Sequence, residues 1–204
     1  MSEYLDCDRR LMRSFIKYIA AVSLLSVCSM FAVAQTPAAD AKQFAKDGLS
    51  FGYPNGWTLV DASSADAQQL NIGRADSEAQ MRVFVFRTPV DTPERLAEAR
   101  KVLVDPYVAS TMRQFQQMGA KPEKAPATTQ IATVTSEGVR ITASLDGIPG
   151  AAEIHWGVVG NRLVVLTMVG PDKALKNASP AWDSIRTSIA VEEAKPAPKP
   201  TPKP

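Results

Sequence analysis

The fold is decided by one stretch of twelve residues, Leu49-Ser50-Phe51-Gly52-Tyr53-Pro54-Asn55-Gly56-Trp57-Thr58-Leu59-Val60. Apolar side chains recur at every second position from Leu49 to Tyr53, and a period of two is typical of a β-strand. Pro54-Asn55-Gly56 has the composition of a tight turn, after which a second strand opens with Trp57. The stretch therefore predicts a β-hairpin whose three aromatic side chains, those of Phe51, Tyr53 and Trp57, lie in the core.

The segment before this stretch has the pattern of a cleavable export signal over residues 1–34. Arg13 and Lys17 precede an apolar run without charge at residues 19–31, and Ala32-Val33-Ala34 has small residues where a signal peptidase cleaves. The run is shorter than the roughly 20 apolar residues that a membrane span needs. We therefore expect cleavage after Ala34 and a periplasmic or secreted protein.

Alternative interpretations of the leader stay open. Arg9-Arg10 resembles a twin-arginine signal, but a third arginine stands at position 13. Cys28 could be the lipid anchor of a lipoprotein, but Val27 before it is bulky and apolar residues continue after it. Translation could also begin at Met12 in place of Met1.

Composition excludes several functional classes. Hydrophobic residues make up 45% of the 204 residues and charged residues 22%, as in a globular protein. Of the 23 basic and 21 acidic residues in the chain, sixteen of each lie within residues 35–191. A region without net charge lacks the basic surface of nucleic-acid-binding proteins. Cys7 and Cys28 both lie in the leader, so we expect a mature chain without disulfide, thiol nucleophile or cysteine-ligated metal.

Periodicity predicts a single α+β domain over residues 48–191, preceded by a linker over 35–47. Strands are expected at residues 70–73, 81–87, 130–135, 139–145, 151–159 and 162–169, with a loop or edge strand at 121–128. Residues 81–87 and 162–169 are apolar on both strand faces, which is typical of a sheet covered on both sides. The expected architecture is an antiparallel sheet between helical layers, α/β/α.

Three helices are expected. Asp91-Thr92-Pro93-Glu94 is a start signal for the first. Asp105-Pro106 indicates a break and a second helix capped by Asp105, because a proline inside a helix removes a hydrogen bond. This second helix is expected to end at Gly119. The last is expected to begin near Ser179-Pro180 and to carry three apolar side chains on one face, those of Trp182, Ile185 and Ile189.

Residues 192–204 are predicted to form an extended, disordered tail, because proline alternates with lysine and small residues from Lys195 to Pro204. No two of its prolines are three residues apart, so it contains no PxxP ligand motif. Such a tail either keeps the domain in solution or acts as a spacer toward a partner in the cell envelope. The first of these interpretations is favoured.

One motif suggests nucleophilic catalysis. Gly48-Leu49-Ser50-Phe51-Gly52 matches the G-x-S-x-G pattern of esterases, in which the serine lies on a sharp turn between a strand and a helix. Here a turn and a strand follow in place of a helix, which favours a chance match. His155, the only histidine, shares a predicted strand face with Glu153 and is expected at the surface. A small hydrolase using Ser50 and His155 is kept as the alternative function.

No pattern indicates a metal or cofactor. No second histidine could share a metal ion with His155, and five aspartates lack the spacing of a calcium loop: Asp61, Asp66, Asp76, Asp146 and Asp172. The chain has no phosphate-binding loop and no dinucleotide-binding motif. We therefore assign no catalytic, cofactor-binding or metal-binding residue from the sequence.

Two further sets of residues have a structural and a functional interpretation. Three tryptophans could line a cleft: Trp57, Trp156 and Trp182. Three arginines could form a basic patch: Arg74, Arg82 and Arg87. Core positions are favoured for the tryptophans because their neighbours are apolar. A solvated face is favoured for the arginines because acidic residues lie nearby.

The order of elements resembles that of PsbP-like domains. The resemblance rests on the F-x-Y-P-x-G-W pattern at residues 51–57, the central strands and the closing helix at 182–189, and it covers residues 48–191. It implies the fold of the photosystem II extrinsic subunit PsbP, of a Ran-binding import factor and of DcrB-like bacterial envelope proteins. It also implies an exported, bacterial-type accessory or binding protein without enzymatic activity. The metal-site histidines of plant members have no counterpart here.

The sequence thus predicts a soluble, monomeric binding protein of the cell envelope. Its partner, a protein or a small ligand, is not identified by any motif, and no cofactor, nucleic acid or membrane span after cleavage is expected. The two alternatives are the hydrolase and an envelope spacer that acts through the tail.

Overall fold

A computed structural model describes residues 41–193. The strands are β1 Ala41–Lys46, β2 Leu49–Pro54, β3 Thr58–Asp61, β4 Ala67–Gly73, β5 Gln80–Pro89, β6 Glu123–Ile131, β7 Val134–Leu145, β8 Ile148–Val159, β9 Arg162–Pro171 and β10 Ala190–Val191. The helices are α1 Pro93–Ala99, α2 Asp105–Gln117 and α3 Asp172–Ser188, and a π-helical segment, Arg100–Val104, joins the first two. The predicted leader, residues 35–40 of the predicted linker and residues 194–204 of the predicted tail lie outside the described residues. Within 41–193, no helix is long and apolar enough to cross a membrane.

Seven strands form one antiparallel sheet in the order β3-β4-β5-β9-β8-β7-β6. Its central strands are apolar on both faces, as predicted. On β9, Val164 and Leu166 are buried in one hydrophobic cluster, whereas Leu163 and Val165 are buried in another on the opposite face. The α+β class with an antiparallel sheet between helical layers is therefore confirmed.

Different elements cover the two faces of this sheet. One face, which we call the α3 face, packs against α3 and against a second, three-stranded sheet of order β1-β2-β10. The opposite face, which we call the α2 face, packs against the π-helical segment and α2. These two elements bury the side chains of Val104, Val108 and Phe115. The helices thus lie on opposite sides of the large sheet.

The predicted hairpin at residues 49–60 is wrong in its pairing. Strand β2 pairs with β1 and β10, whereas β3 pairs with β4 in the other sheet. The turn itself forms: the Trp57 amide donates to the Pro54 carbonyl at 3.4 Å, and Gly56 has φ +84°. Local residues specify a turn, but the pairing depends on strands that lie elsewhere in the sequence. Phe51 and Trp57 are buried and Tyr53 is partly buried against the core, as predicted.

The predicted linker at 35–47 is wrong for its second half. Ala41–Lys46 forms β1 and pairs with all of β2, from Ala41 opposite Pro54 to Lys46 opposite Leu49. Asp47 and Gly48, with φ +49° and +76°, make the turn between the two strands. Both residue types tolerate positive φ, so Asp-Gly suits a two-residue hairpin turn.

The predicted break at Asp105-Pro106 is also wrong. The chain stays helical, and the Asp105 amide donates five residues back to the carbonyl of Arg100, which is the π-helical pattern. This wider turn precedes Pro106, which has no amide hydrogen to donate, and no side chain caps α2. The predicted end at Gly119 is confirmed: its φ is +87°, and its amide donates to the Gln116 carbonyl at 2.9 Å.

The last helix begins at Asp172, seven residues before the predicted start at Ser179-Pro180. Pro180 lies inside the helix. It cannot donate to the Lys176 carbonyl four residues back, and the Ser179 hydroxyl donates to that carbonyl instead, at 2.9 Å. The residues predicted to share the buried face, Trp182, Ile185 and Ile189, are all buried.

The remaining strands form the predicted meander with changed bounds. No strand spans 130–135, because β6 ends at Ile131 and Ala132, with φ +53°, begins the turn to β7. Residues 123–131 form the edge strand β6 of the large sheet. The predicted Gly160-Asn161 turn is confirmed: both residues have positive φ, and Val159 pairs with Arg162 across it.

Candidate functional site

The structure does not bring Ser50 and His155 together. Ser50 lies in the middle strand of the three-stranded sheet, opposite Ala45 and Ala190. His155 Nδ1 has no hydrogen-bond partner, and Nε2 lies 3.9 Å from Glu153 Oε2. Neither ring nitrogen can therefore take a proton from the Ser50 hydroxyl.

His155 is buried, so its predicted place at the surface is wrong. Only 4% of the residue is exposed, because α3 covers this face and the Trp182 ring lies 6.3 Å away, centre to centre. Gly138, the cross-strand neighbour of His155, leaves room for the imidazole. A Cβ atom there would lie 2.7 Å from the Ile154 carbonyl oxygen and closer still to Nδ1. The glycine opposite the only histidine was the sequence signal for this packing.

A groove of about 440 Å³ lies beside His155, between α3 and the sheet. We call it the α3 groove. It is lined by Thr129, Arg140, Glu153, Met168, Asp172, Leu175, Lys176, Ser179, Trp182, Asp183 and Arg186. Arg140 forms an ion pair with Glu153 on the adjacent strand and lies 3.5 Å from Asp172 at the start of α3. This network joins the sheet to the helix.

Most charges of the α3 groove are compensated within it. The pKa of Glu153 is lowered, first by its polar interaction with the His155 ring and then by the Arg140 charge, although burial opposes the change. Arg186 pairs with Asp183 at 2.9 Å and donates to the Gln130 carbonyl at 3.1 Å. Lys176 forms no ion pair with any described residue. The groove is open to a binding partner, but its two arginines, Arg140 and Arg186, already form ion pairs within the protein.

A second hollow, of about 370 Å³, lies on the α2 face at the β3 end of the large sheet. We call it the Arg82 hollow. It is lined by Thr58, Val60, Asn71, Ile72, Gly73, Arg74, Ala75, Ser77, Ala79, Gln80, Met81 and Arg82. No acidic side chain lines it. Val60 is 56% exposed, so no other element covers this part of the face.

The arginines predicted to form a solvated face have different surroundings. Arg87 pairs with Asp47 at 3.0 Å, away from the hollow. Arg74 Nε lies 2.5 Å from Asp76 Oδ1 but has no hydrogen-bond partner, so that contact is electrostatic only. Arg82 forms neither an ion pair nor a hydrogen bond with the described residues. Acids therefore compensate two of the three arginines, as the sequence suggested, but not Arg82.

The three tryptophans occupy core positions, as interpreted from the sequence. Trp57, Trp156 and Trp182 are between 4% and 6% exposed. Arg74 lies over the Trp57 ring at 5.6 Å and Arg100 over the Trp156 ring at 5.3 Å. Among residues 41–193, no three histidine, cysteine, aspartate or glutamate side chains are grouped so that they could hold a metal ion.

Comparison with known proteins finds only distant similarity to solved structures. No protein-family model and no curated protein matches the sequence. The solution structure of cyanobacterial PsbP from Synechocystis sp. PCC 6803 is 13% identical, covers 82% of this chain and 98% of its own, and has a TM-score of 0.48. The Ran-binding protein Mog1p of Saccharomyces cerevisiae is 10% identical, with coverages of 76% and 96% and a TM-score of 0.43.

A third match is LpqN, a protein involved in cell envelope biogenesis of Mycobacterium tuberculosis. It is 9% identical and covers 75% of this chain and 91% of its own, with a TM-score of 0.40. The three structures resemble this chain at identities of 9% to 13% and TM-scores of 0.40 to 0.48, and nothing about its family or activity follows from them.

Proposed function

We propose that this protein is exported and acts in the cell envelope by binding a protein or a small ligand, without catalysis. Export is supported by the sequence pattern of residues 1–34, with cleavage after Ala34. The domain that follows has two open hollows on opposite faces of its large sheet. Surface hollows with convergent polar groups are where small ligands and partner side chains bind.

We propose binding and not hydrolysis because Ser50 and His155 are separated in the structure. A serine is a weak nucleophile unless a base lies within hydrogen-bond reach of its hydroxyl. The only imidazole of the chain lies under α3, with Nε2 toward Glu153 and Nδ1 packed against Gly138. A hydrolase built on this pair would need the helix to leave the sheet.

The test against hydrolysis uses residues 35–204, the expected mature protein. Chromogenic esters of several chain lengths are offered to the wild type and to the variants Ser50→Ala and His155→Gln. We expect the same background hydrolysis from all three proteins. Saturable hydrolysis that both substitutions abolish would overturn the proposal.

The α3 groove offers a matched test of partner binding. Lys176 lines the groove, whereas Lys173 lies on the same helix outside it. A partner captured from envelope extract through this groove should be lost with Lys176→Glu and kept with Lys173→Glu. Equal loss in both variants would exclude the groove as the contact surface.

Export has its own test in the full-length chain. N-terminal sequencing of the protein from the envelope fraction is expected to begin at Gln35. A variant Ala34→Arg should accumulate as the longer precursor, because an arginine does not fit where the peptidase reads a small residue. Recovery of the uncleaved wild type in the cytoplasm would contradict export.

A further inference from the structure

We propose that the Arg82 hollow binds the carboxylate of a small organic acid that has a short apolar part. This inference deepens the proposed function and rests on it, because it names the class of small ligand that one of the two hollows would bind. Four observations carry it: the order of side chains across the sheet, the charge of the hollow, an unpaired hydroxyl on the strand next to Arg82 and an exposed valine.

The first observation is a row of side chains across four adjacent strands. The register places Val60 opposite Asn71, Asn71 opposite Arg82, and Arg82 opposite Thr167. Directly paired residues on neighbouring strands point to the same face and lie about 5 Å apart. Arg82 is therefore flanked by Asn71 on one strand and by Thr167 on the other, on the same face of the sheet.

The second observation is the charge. Asp76 compensates Arg74 at 2.5 Å, and no acidic side chain lines the hollow, so Arg82 leaves a single positive charge uncompensated. One negative charge on the ligand matches it, as in a carboxylate, whereas the second charge of a phosphate monoester would have no partner. The planar fork of an arginine also matches the two oxygens of a carboxylate.

The third observation is a buried polar atom on the strand next to Arg82. Thr167 Oγ1 is buried and has no hydrogen-bond partner among the described residues. Buried polar atoms in proteins are nearly always paired, because leaving one unpaired is costly. Thr167 is 3% exposed and pairs directly with Arg82, so it lies on the same face of the sheet, one strand farther from the hollow.

The fourth observation is apolar surface at the other end of the row. Val60 is 56% exposed and stands two strands from Arg82, beyond Asn71. A ligand whose carboxylate pairs with Arg82 would lay its next few carbon atoms across Asn71 toward this side chain. The hollow thus favours a short-chain acid over acetate or an inorganic anion.

The test is a titration of isotope-labelled protein, residues 35–204, with hexanoate, followed by amide chemical shifts. We expect saturable shifts at the residues that line the hollow, with a dissociation constant on the order of 1 mM. Hexanoamide, which has the same chain but no charge, and inorganic phosphate should both bind at least tenfold more weakly. No saturable binding of hexanoate, or equal binding of hexanoamide, would overturn the proposal.

Two variants locate the binding. Arg82→Gln should weaken hexanoate binding at least tenfold, because a hydrogen bond to a charged group is lost with the ion pair. Arg113→Gln removes the same charge from an exposed position on α2 and should leave binding unchanged. Equal binding to the wild type and Arg82→Gln, in a variant whose other amide shifts show it to be folded, would also overturn the proposal.

A third variant tests the apolar end. Val60→Thr keeps the shape and strand preference of the side chain but adds a hydroxyl. It should lower the preference for hexanoate over acetate about threefold while leaving acetate binding as it is, because roughly one buried methyl contact is lost. An unchanged preference would show that the acid's chain does not reach Val60 and would overturn that part of the proposal.

Discussion

The α3 groove and the Arg82 hollow lie on opposite faces of one sheet and differ in how their arginines are paired. In the groove, Arg140 contacts two carboxylates, one on the sheet and one on α3, so its charge holds a helix in place. In the hollow, Arg82 has neither an ion pair nor a hydrogen bond among the described residues. A charge that is compensated within the fold contributes to stability, whereas an uncompensated one at a hollow is available to a ligand. The predictions below test this difference, from the largest effect to the smallest.

A substitution that disturbs the packing of His155 beside the groove should lower the stability of the protein the most. Gly138→Ala would place a Cβ 2.7 Å from the Ile154 carbonyl oxygen, in contact with the imidazole as well. Because the sheet and α3 enclose this site, the strain cannot be relieved outward. We expect the free energy of unfolding, measured with urea, to fall by about 2 to 3 kcal/mol.

The matched control is Gly73→Ala beside the hollow. A Cβ at that position meets no atom within 4 Å, so stability should change by less than about 0.5 kcal/mol. If both variants unfold at the same urea concentration, His155 is not held as tightly as its burial implies.

Within the groove, Arg140 should matter for stability and Lys176 should not. Arg140→Gln leaves Glu153 and Asp172 without their shared cation, and we expect a loss of about 1 kcal/mol, since the pair is partly exposed. Lys176→Gln removes a cation that has no ion pair among residues 41–193 and should be neutral. Equal losses in the two variants would show that stability depends on the net charge of the groove and not on the specific ion pairs of Arg140.

The stability of the protein should depend on Glu153 in acid. Because its folded pKa is lowered, chiefly by the interaction with His155, the carboxylate contributes stability that is complete above its unfolded pKa of about 4.5. That contribution is lost as the pH falls through the lowered folded value. We expect the stability difference between the wild type and Glu153→Gln to be constant down to about pH 4.5 and to shrink below it. A difference that stays constant down to pH 3 would contradict the assignment.

The smallest effect concerns Thr167 beside the hollow. Thr167→Val replaces a buried hydroxyl that has no partner among the described residues, so stability should rise by about 0.5 kcal/mol. The same variant should bind hexanoate more weakly, because Thr167 pairs directly with Arg82 on the same face of the sheet. A loss of stability would mean that the hydroxyl is paired in solution and is not available to a ligand.

The sequence predicted what depends on neighbouring residues. The two turns at Gly119 and Gly160-Asn161 formed where expected, because their backbone needs residues that accept positive φ. The apolar residues on both faces of β5 and β9 predicted that these strands are central. Such a strand must be buried on both sides, whichever elements bury it. The α+β class followed from these local patterns.

What the sequence did not predict depends on residues far apart in the chain. The partners of β2 are β1, which looked like a linker, and the two-residue strand β10 near the end of the described chain. His155 was expected at the surface because its own strand cannot show that α3 covers it. The early start of α3 was missed because Pro180 indicated a boundary, whereas the Ser179 hydroxyl bonds the carbonyl that the proline leaves free.

The Arg82 hollow was missed for the same reason. Arg74 and Arg82 lie on opposite sides of a turn, and a sequence shows nearby acids without showing which arginine each one contacts. Asp76 contacts Arg74 and Asp47 contacts Arg87, which leaves Arg82. No local pattern distinguishes these three arginines.

Arg140 and Arg82 have different roles: Arg140 stabilises the fold and Arg82 binds a ligand. The most direct test of this difference measures urea unfolding and hexanoate binding on the same two variants, Arg140→Gln and Arg82→Gln. We predict that Arg140→Gln loses about 1 kcal/mol of stability and keeps hexanoate affinity, whereas Arg82→Gln keeps its stability and loses at least tenfold in affinity. The reverse result, with Arg82→Gln destabilised and hexanoate affinity unchanged, would contradict the account.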